Sequence, residues 1–246
     1  MIAATAAAGF LAKQSELAAN LPQSIRAVAF DGFAILDPRP ALAQAKRLHP
    51  QAGDAFLSLF QARMFEYQWL RVLGAHYKDF LSIVDDAHVF AAEQTGDRVS
   101  EEARGRLRCA FLNLKAWPDS AESLKKLKAR SLRLGLLSNM TADMLNTGLA
   151  NSGLQRVFEH VLSTDAIKSY KPDPRAYQLG VNSFGLAKEQ IAFVASAGWD
   201  GAGAAWFGYP TFWVNRLGGT PERLDGEIIA IGRDLAALDQ LILEHG

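Results

Sequence analysis

A single cysteine, Cys109, stands among 246 residues, which excludes an internal disulfide and a cysteine-built metal cage. Neither sign of charge is in excess, since 26 lysines and arginines balance 26 aspartates and glutamates. That balance removes the electrostatic footprint of a nucleic-acid or membrane-surface binder. No apolar run is long enough to span a bilayer. Internal repeats and low-complexity linkers are also missing. What is left is about half apolar, the composition of a globular enzyme with one large domain, or one domain carrying an insertion. Cys109 lies in a helical pattern and is expected in the core.

Residues 1–24 are set apart as an N-terminal extension. Met1 to Ala12 is rich in alanine and resembles the apolar part of an export signal, without the positive segment that should precede it. It reads either as a signal remnant, with a periplasmic destination, or as a plain helix, with the cytoplasm as the expected compartment.

Two kinds of text alternate after that. Residues 41–48, 54–73, 80–95 and 100–114 carry apolar side chains at three- and four-residue spacing, the period of helices with one buried face. Ser100, with Glu101 and Glu102 behind it, is a helix start. From Asp119 onward short apolar strands (132–137, 161–163, 191–194 and 211–214) alternate with helices near 120–129, 142–152, 174–184 and 200–207. An earlier strand, Val28-Ala29-Phe30, belongs with them. Strand and helix in series predict an α/β fold, a Rossmann-like parallel sheet flanked by helices. The core domain is expected over 25–37 and 118–246, with 38–117 inserted as an all-helical cap domain over the strand ends.

Polar residues collect where those strands end, which is where open parallel sheets bind ligands. Asp31 follows the first strand, and two positions later Phe33 stands where a second carboxylate could have been. Asp31 can be a nucleophile, a metal ligand, a general base or a helix cap. Ser138 and Asn139 follow the second strand; a serine there either caps a helix or offers its hydroxyl to an anion. Lys171 sits in a loop stiffened by Pro172 and Pro174. Asp200 precedes a Gly/Ala-rich helix.

A strand-terminal Asp, then Ser-Asn, then Lys-Pro, then a further Asp resembles the four-motif signature of the haloacid dehalogenase superfamily. Within it the chain resembles the type II (L-)2-haloacid dehalogenases, over roughly Ile25 to Asn215. The matching stretches are Phe30-Asp31, Phe65-Glu66-Tyr67-Gln68-Trp69-Leu70, Leu137-Ser138-Asn139, Tyr170-Lys171-Pro172-Asp173, Trp199-Asp200 and Phe207 to Thr211. The resemblance implies attack by Asp31 on C2 of a short 2-haloacid, then hydrolysis of the resulting ester with Asp200 polarising water. Lys171 would keep Asp31 ionised. Ser138 and the backbone near Gly32 and Asn139 would hold the substrate carboxylate, while Phe33, Phe65, Trp69 and Trp199 shape a dry pocket. No cofactor or metal is implied. The expected partners are the haloacid and halide, with no nucleic acid and no membrane; a homodimer is left open.

Phe33 distinguishes this from phosphoryl transfer, because a halide leaves without the proton that an alkoxide needs. Departures from the family pattern are expected to weaken the site. Asp31-Gly32-Phe33-Ala34-Ile35-Leu36 replaces Asp-x-Tyr-Gly-Thr-Leu, Gln61 holds the position of an arginine, and Ala195 and Ala197 replace polar residues. Arg63 points to another helix face. A small-molecule phosphatase and a non-catalytic carboxylate-binding protein on the same fold are the alternatives.

Overall fold

The computed structural model describes residues 25–238 and Ile242, so the 1–24 extension lies outside the described residues. Six strands form one parallel sheet. They are β1 (Ala27–Phe30), β4 (Arg133–Ser138), β5 (His160–Ser163), β6 (Ile191–Ala195), β7 (Thr211–Val214) and β8 (Ala230–Gly232), in the order β5-β4-β1-β6-β7-β8. β1 lies inside the sheet, Val28 registering with Leu134 on one side and Ala192 on the other. A strand covered on both faces has no polar face to show, which is why its sequence is a continuous apolar run.

Helices α6 (Ser120–Ala129), α7 (Ala142–Ala150), α8 (Pro174–Phe184) and α9 (Gly198–Phe207) make the crossovers. α8 begins as its sequence dictates: Pro174 fills the first turn, Asp173 accepts the Arg175 N–H at 2.9 Å, and Gly185 closes the helix at φ 62°.

Between β1 and β4 the chain leaves the sheet. A single-turn helix α1 (Gly32–Ile35) leads into β2 (Leu36–Asp37), which pairs antiparallel with β3 (Lys115–Ala116). Between these strands lie α2 (Arg39–Leu48), α3 (Gly53–Leu73), α4 (Phe80–Gln94) and α5 (Glu101–Leu112). α3 buries Phe56, Phe60, Met64 and Gln68, one stripe at four-residue spacing, and packs along α4. α5 starts on Ser100, whose hydroxyl accepts the Ala103 N–H at 3.1 Å. The sequence expectation for Cys109 fails. α5 turns Leu107 and Phe111 inward, and the residue between them falls on the opposite face, where Cys109 is exposed.

Trp117 pins the root of this insert. The guanidinium groups of Arg39 and Arg216 both stack over its indole, 4.3 and 4.5 Å from the ring centroid, and its Nε1 donates to the Phe33 carbonyl at 2.9 Å. Arg216 in turn holds Asp119 at 2.9 Å and the Ala34 carbonyl at 3.0 Å. Among the described residues no helix is long and apolar enough to cross a membrane.

Two histidines are sealed inside the insert. His49 Nε2 and His88 Nε2 face each other at 2.7 Å, His49 Nδ1 meets Asp97 at 2.8 Å, and His88 Nδ1 is buried without a partner. Burial, then the nearby His49 and Arg104, pushes the His88 pKa down to about 4. The unfolded chain takes up this proton near pH 6.5 and the folded one does so only near 4. Stability contributed by neutral His88 is therefore complete above that window and is lost as pH falls through it. We expect a loss of about 3 kcal/mol between the two values, read from urea unfolding against pH. His88→Phe should flatten that slope, and an unchanged slope would assign it to another group.

Candidate active site

The site is built from four places in the chain, each at the carboxyl end of a strand or just beyond it. Asp31 follows β1; its N–H donates to the Val194 carbonyl at 2.9 Å, which fixes the residue across the gap between β1 and β6. It caps α1 through Oδ2, which accepts the Phe33 N–H at 3.0 Å. The capping and ionic roles therefore coexist. Oδ2 also accepts the Ser196 hydroxyl at 2.6 Å, and Oδ1 accepts Lys171 Nζ at 2.8 Å. The same ammonium reaches Asp200 Oδ2 at 2.6 Å, and Asp200 Oδ1 accepts the Tyr177 hydroxyl at 2.8 Å. Lys171, Asp200 and Tyr177 are essentially inaccessible, and Asp31 is 7% exposed.

Electrostatics follow from this burial. Desolvation pulls the Lys171 pKa down, but Asp200 and Asp31 outweigh it and hold the ammonium above its ordinary value. Two carboxylates share that one cation. Burial raises the Asp200 carboxyl, Lys171 draws it back, Asp31 adds repulsion, and the result is a pKa pushed up to about 6. Burial and the Asp200 charge also raise Tyr177 well above its ordinary value, so its hydroxyl stays a donor.

Backbone and second contacts set the lysine in place. Its N–H donates to Asn139 Oδ1 at 2.8 Å, and its carbonyl accepts Trp69 Nε1 from α3 at 3.2 Å. Asn139 Oδ1 also accepts the Thr164 hydroxyl at 3.3 Å, while its Nδ2 donates to Gln68 Oε1 at 2.8 Å. Gly203 on α9 allows the approach, since a Cβ there would meet the Tyr177 hydroxyl at 2.5 Å and Pro172 at 2.7 Å.

Beside this cluster lies a cavity of about 290 Å³ between the insert and the strand ends. Phe33, Gln61, Phe65 and Trp199 line it, together with Ser196. Phe65 and Trp199 meet edge-on at 5.5 Å. Asp31, Lys171 and Asp200 stand behind its wall, and neither they nor Gly32, Ser138 and Asn139 are among its lining residues. Gly32 is instead a close-packing position, where a Cβ would lie 2.6 Å from Ser138 Oγ, and that hydroxyl accepts the Met140 N–H at 3.2 Å. Trp69 lines a neighbouring apolar groove. Arg63 pairs with Glu66 and stands over Phe90, while Gln61 and Met64 of that turn line the cavity, Gln61 as its polar side chain.

Every carboxylate oxygen of Asp31 and Asp200 already accepts a hydrogen bond from the protein, and the ammonium spans the pair. That donor set does not fit a divalent cation, which wants several free hard oxygens. Among the described residues no group of three or more His, Cys, Asp or Glu side chains could hold a metal ion.

Sequence reasoning missed three side chains. Ser196 stands between Ala195 and Ala197, and a lone serine after a strand carries no signal in spacing that tells a ligand from a turn residue. Tyr177 lies in the second turn of α8, where an inward aromatic carries no signal beyond packing. Gln68 continues the apolar stripe of α3, and only its polarity on a buried face could have marked it.

Comparison with known proteins identifies the family and the fold. The sequence model of the haloacid dehalogenase-like hydrolases matches residues 21–208. An (S)-2-haloacid dehalogenase of Pseudomonas putida is 32% identical over 222 residues, covering 90% of this chain and 98% of that protein. A crystal structure of an L-2-haloacid dehalogenase superposes with a TM-score of 0.86 at 38% identity, covering 89% of this chain and 99% of the other. That of the L-2-haloacid dehalogenase of Xanthobacter autotrophicus with chloropropionic acid covalently bound gives 0.81 at 28%, covering 90% and 100%.

Lys171→Met would leave two carboxylates facing each other in a dry site. The expected cost is about 3–5 kcal/mol, measured by urea unfolding near neutral pH. Lys171→Met/Asp200→Asn should recover part of it; no recovery would mean that the two acids are not coupled through the lysine.

Proposed function

The chain belongs to the haloacid dehalogenase-like hydrolases, and we propose that it hydrolyses short 2-haloalkanoic acids, haloacetates and L-2-halopropionate among them, to 2-hydroxy acids and halide through an ester on Asp31. The observation that carries this reading is one carboxylate, Asp31, held by a buried ammonium and hydrogen-bonded to Ser196 and the Phe33 N–H, two residues that line an aromatic cavity, with Phe33 in place of a second acid.

A halide departs with its bonding electrons and needs no proton, so a site without a general acid beside its nucleophile suits carbon–halogen cleavage. Asp31 attacks C2 opposite the halogen, C2 inverts, and the halide leaves. Water then attacks the ester carbonyl with Asp200 as the group that takes its proton, and Lys171 holds the two acids in register. Phe33, Phe65 and Trp199 keep bulk water out. Gln61 is the polar side chain that α3 presents to the cavity, a neutral donor and so roughly half as strong as a charged one. The insert serves as the cap over the strand ends.

Chloride or fluoride release from chloroacetate, L-2-chloropropionate and fluoroacetate, with EDTA present, tests the reading. Release should survive EDTA and fall by more than about a thousandfold in Asp31→Asn. Phosphate release from p-nitrophenyl phosphate that depends on Mg²⁺, with no halide from any acid, would overturn it.

The pH profile offers a second check. Asp200 must be ionised to accept a proton, so turnover should rise as pH climbs through about 6. The residual activity of Asp200→Asn should lack that limb; a limb that persists would belong to another group.

A further inference from the structure

The two oxygens of the Asp31 carboxylate are not equivalent. Oδ2 accepts two hydrogen bonds, from Ser196 Oγ at 2.6 Å and from the Phe33 N–H at 3.0 Å. Oδ1 accepts one, from Lys171 Nζ at 2.8 Å. A carboxylate oxygen offers two lone pairs in its plane. Oδ2 has both engaged, while Oδ1 keeps one free, and only a free pair can attack carbon.

We propose that Oδ1 is the attacking oxygen, and that Ser196 Oγ and the Phe33 N–H form an oxyanion hole around Oδ2 for hydrolysis of the ester. This rests on the ester reading above. In the first half-reaction the free pair of Oδ1 forms the bond to C2, and the C–halogen pair leaves with the halide. Oδ2 becomes the ester carbonyl oxygen and loses charge. In the second half-reaction water adds to Cγ, one of its protons passing to Asp200, and the π pair of the carbonyl moves onto Oδ2. The charge now lies between the two donors already in place. When the carbonyl reforms, the Cγ–Oδ1 bond breaks and its electron pair stays on Oδ1. Lys171 gives that oxygen a proton and regains one from Asp200. The 2-hydroxy acid leaves, and the acid proton of the regenerated Asp31 goes to solvent.

Ser196 is built for this place. It is the first residue beyond β6, it lines the cavity, and its carbonyl accepts Trp213 Nε1 at 3.3 Å, which fixes the backbone behind the hydroxyl. Its neighbours Ala195 and Ala197 carry no side-chain donor, so the hydroxyl between them is the one side-chain donor of that turn.

The two half-reactions use the hole with opposite sign. Donors to Oδ2 stabilise the resting carboxylate and restrain the first step slightly, whereas they stabilise the charge that grows in the second. Ser196→Ala should therefore slow ester hydrolysis by about 10²–10³-fold, the range for loss of one oxyanion donor, and leave the first step as fast or faster. Rapid-quench measurement with L-2-chloropropionate should then show a burst of one chloride per site before a slow steady phase. The intact mass of the quenched protein should rise by the ester, and Ser196→Thr, which keeps the hydroxyl, should restore turnover. The burst itself counts folded sites, so a misfolded variant cannot imitate the result. If burst and steady phases slow together without ester accumulating, or if Ser196→Ala turns over like the wild type, the inference fails and the ester reading stands. Absence of halide release from the wild type would sink both.

Discussion

One buried ammonium organises this protein. Lys171 lies between Asp31 and Asp200 at 2.8 and 2.6 Å, and none of the three is near another in sequence. Ions of either sign are costly to remove from water, and their mutual attraction repays that only when the geometry is tight and the remaining lone pairs are filled. Here the Phe33 N–H, Ser196 and Tyr177 supply three further donors, and Asp31 Oδ1 is left with one lone pair open. The end of β1, the loop ahead of α8 and the first turn of α9 must meet for this compensation to exist, so the arrangement that creates reactivity also fixes the relative positions of three chain segments. Burial is what first separates Asp200 from an ordinary carboxylate, and with two acids against one base Lys171 offsets it only in part.

The helical insert is joined to this centre at both ends. At its root Trp117 packs against Arg39 and Arg216 and donates to the Phe33 carbonyl, so the strand pair that carries the chain out and back is tied to the short helix capped by Asp31. At its inner face Trp69 holds the Lys171 carbonyl, and Tyr77 reaches Asp165 at 2.8 Å. The cavity between the two parts is walled by aromatic rings from each, Phe65 from the insert and Trp199 from α9 among them, with Arg216 and Glu222 also on its lining.

Much of this was legible beforehand, and the reasons differ by element. β7 and helices α6 and α8 fall where the apolar period and the Pro174 and Asp173 signals put them, because a strand buried on both faces and a capped amphipathic helix write their patterns locally. Asp31, Lys171 and Asp200 were legible because strand ends gather ligands, and the structure brings all three into one hydrogen-bonded group. β2 and β3 were not, since two residues carry no period and their pairing is set by where the insert leaves and returns. β8, a half-buried edge strand ending in Gly232, lacks the alternation that would announce it. Ser196 and Tyr177 took their roles from tertiary placement, which no spacing reports. Asn139 was legible as a polar group at a strand end, yet its side chain turns inward to Lys171, Thr164 and Gln68 rather than lining the cavity.

That inward turn has a consequence for anyone altering the protein. Gln68, Asn139 and the Lys171 backbone form a dry chain of amides in which each member satisfies the next. Replacing one leaves a stranded donor or acceptor on its neighbour, a penalty charged to a residue that was never changed. Substitutions along the inner face of α3 will therefore combine non-additively with those after β4. A library that samples these positions singly would discard combinations that a paired, shape-matched apolar exchange could keep.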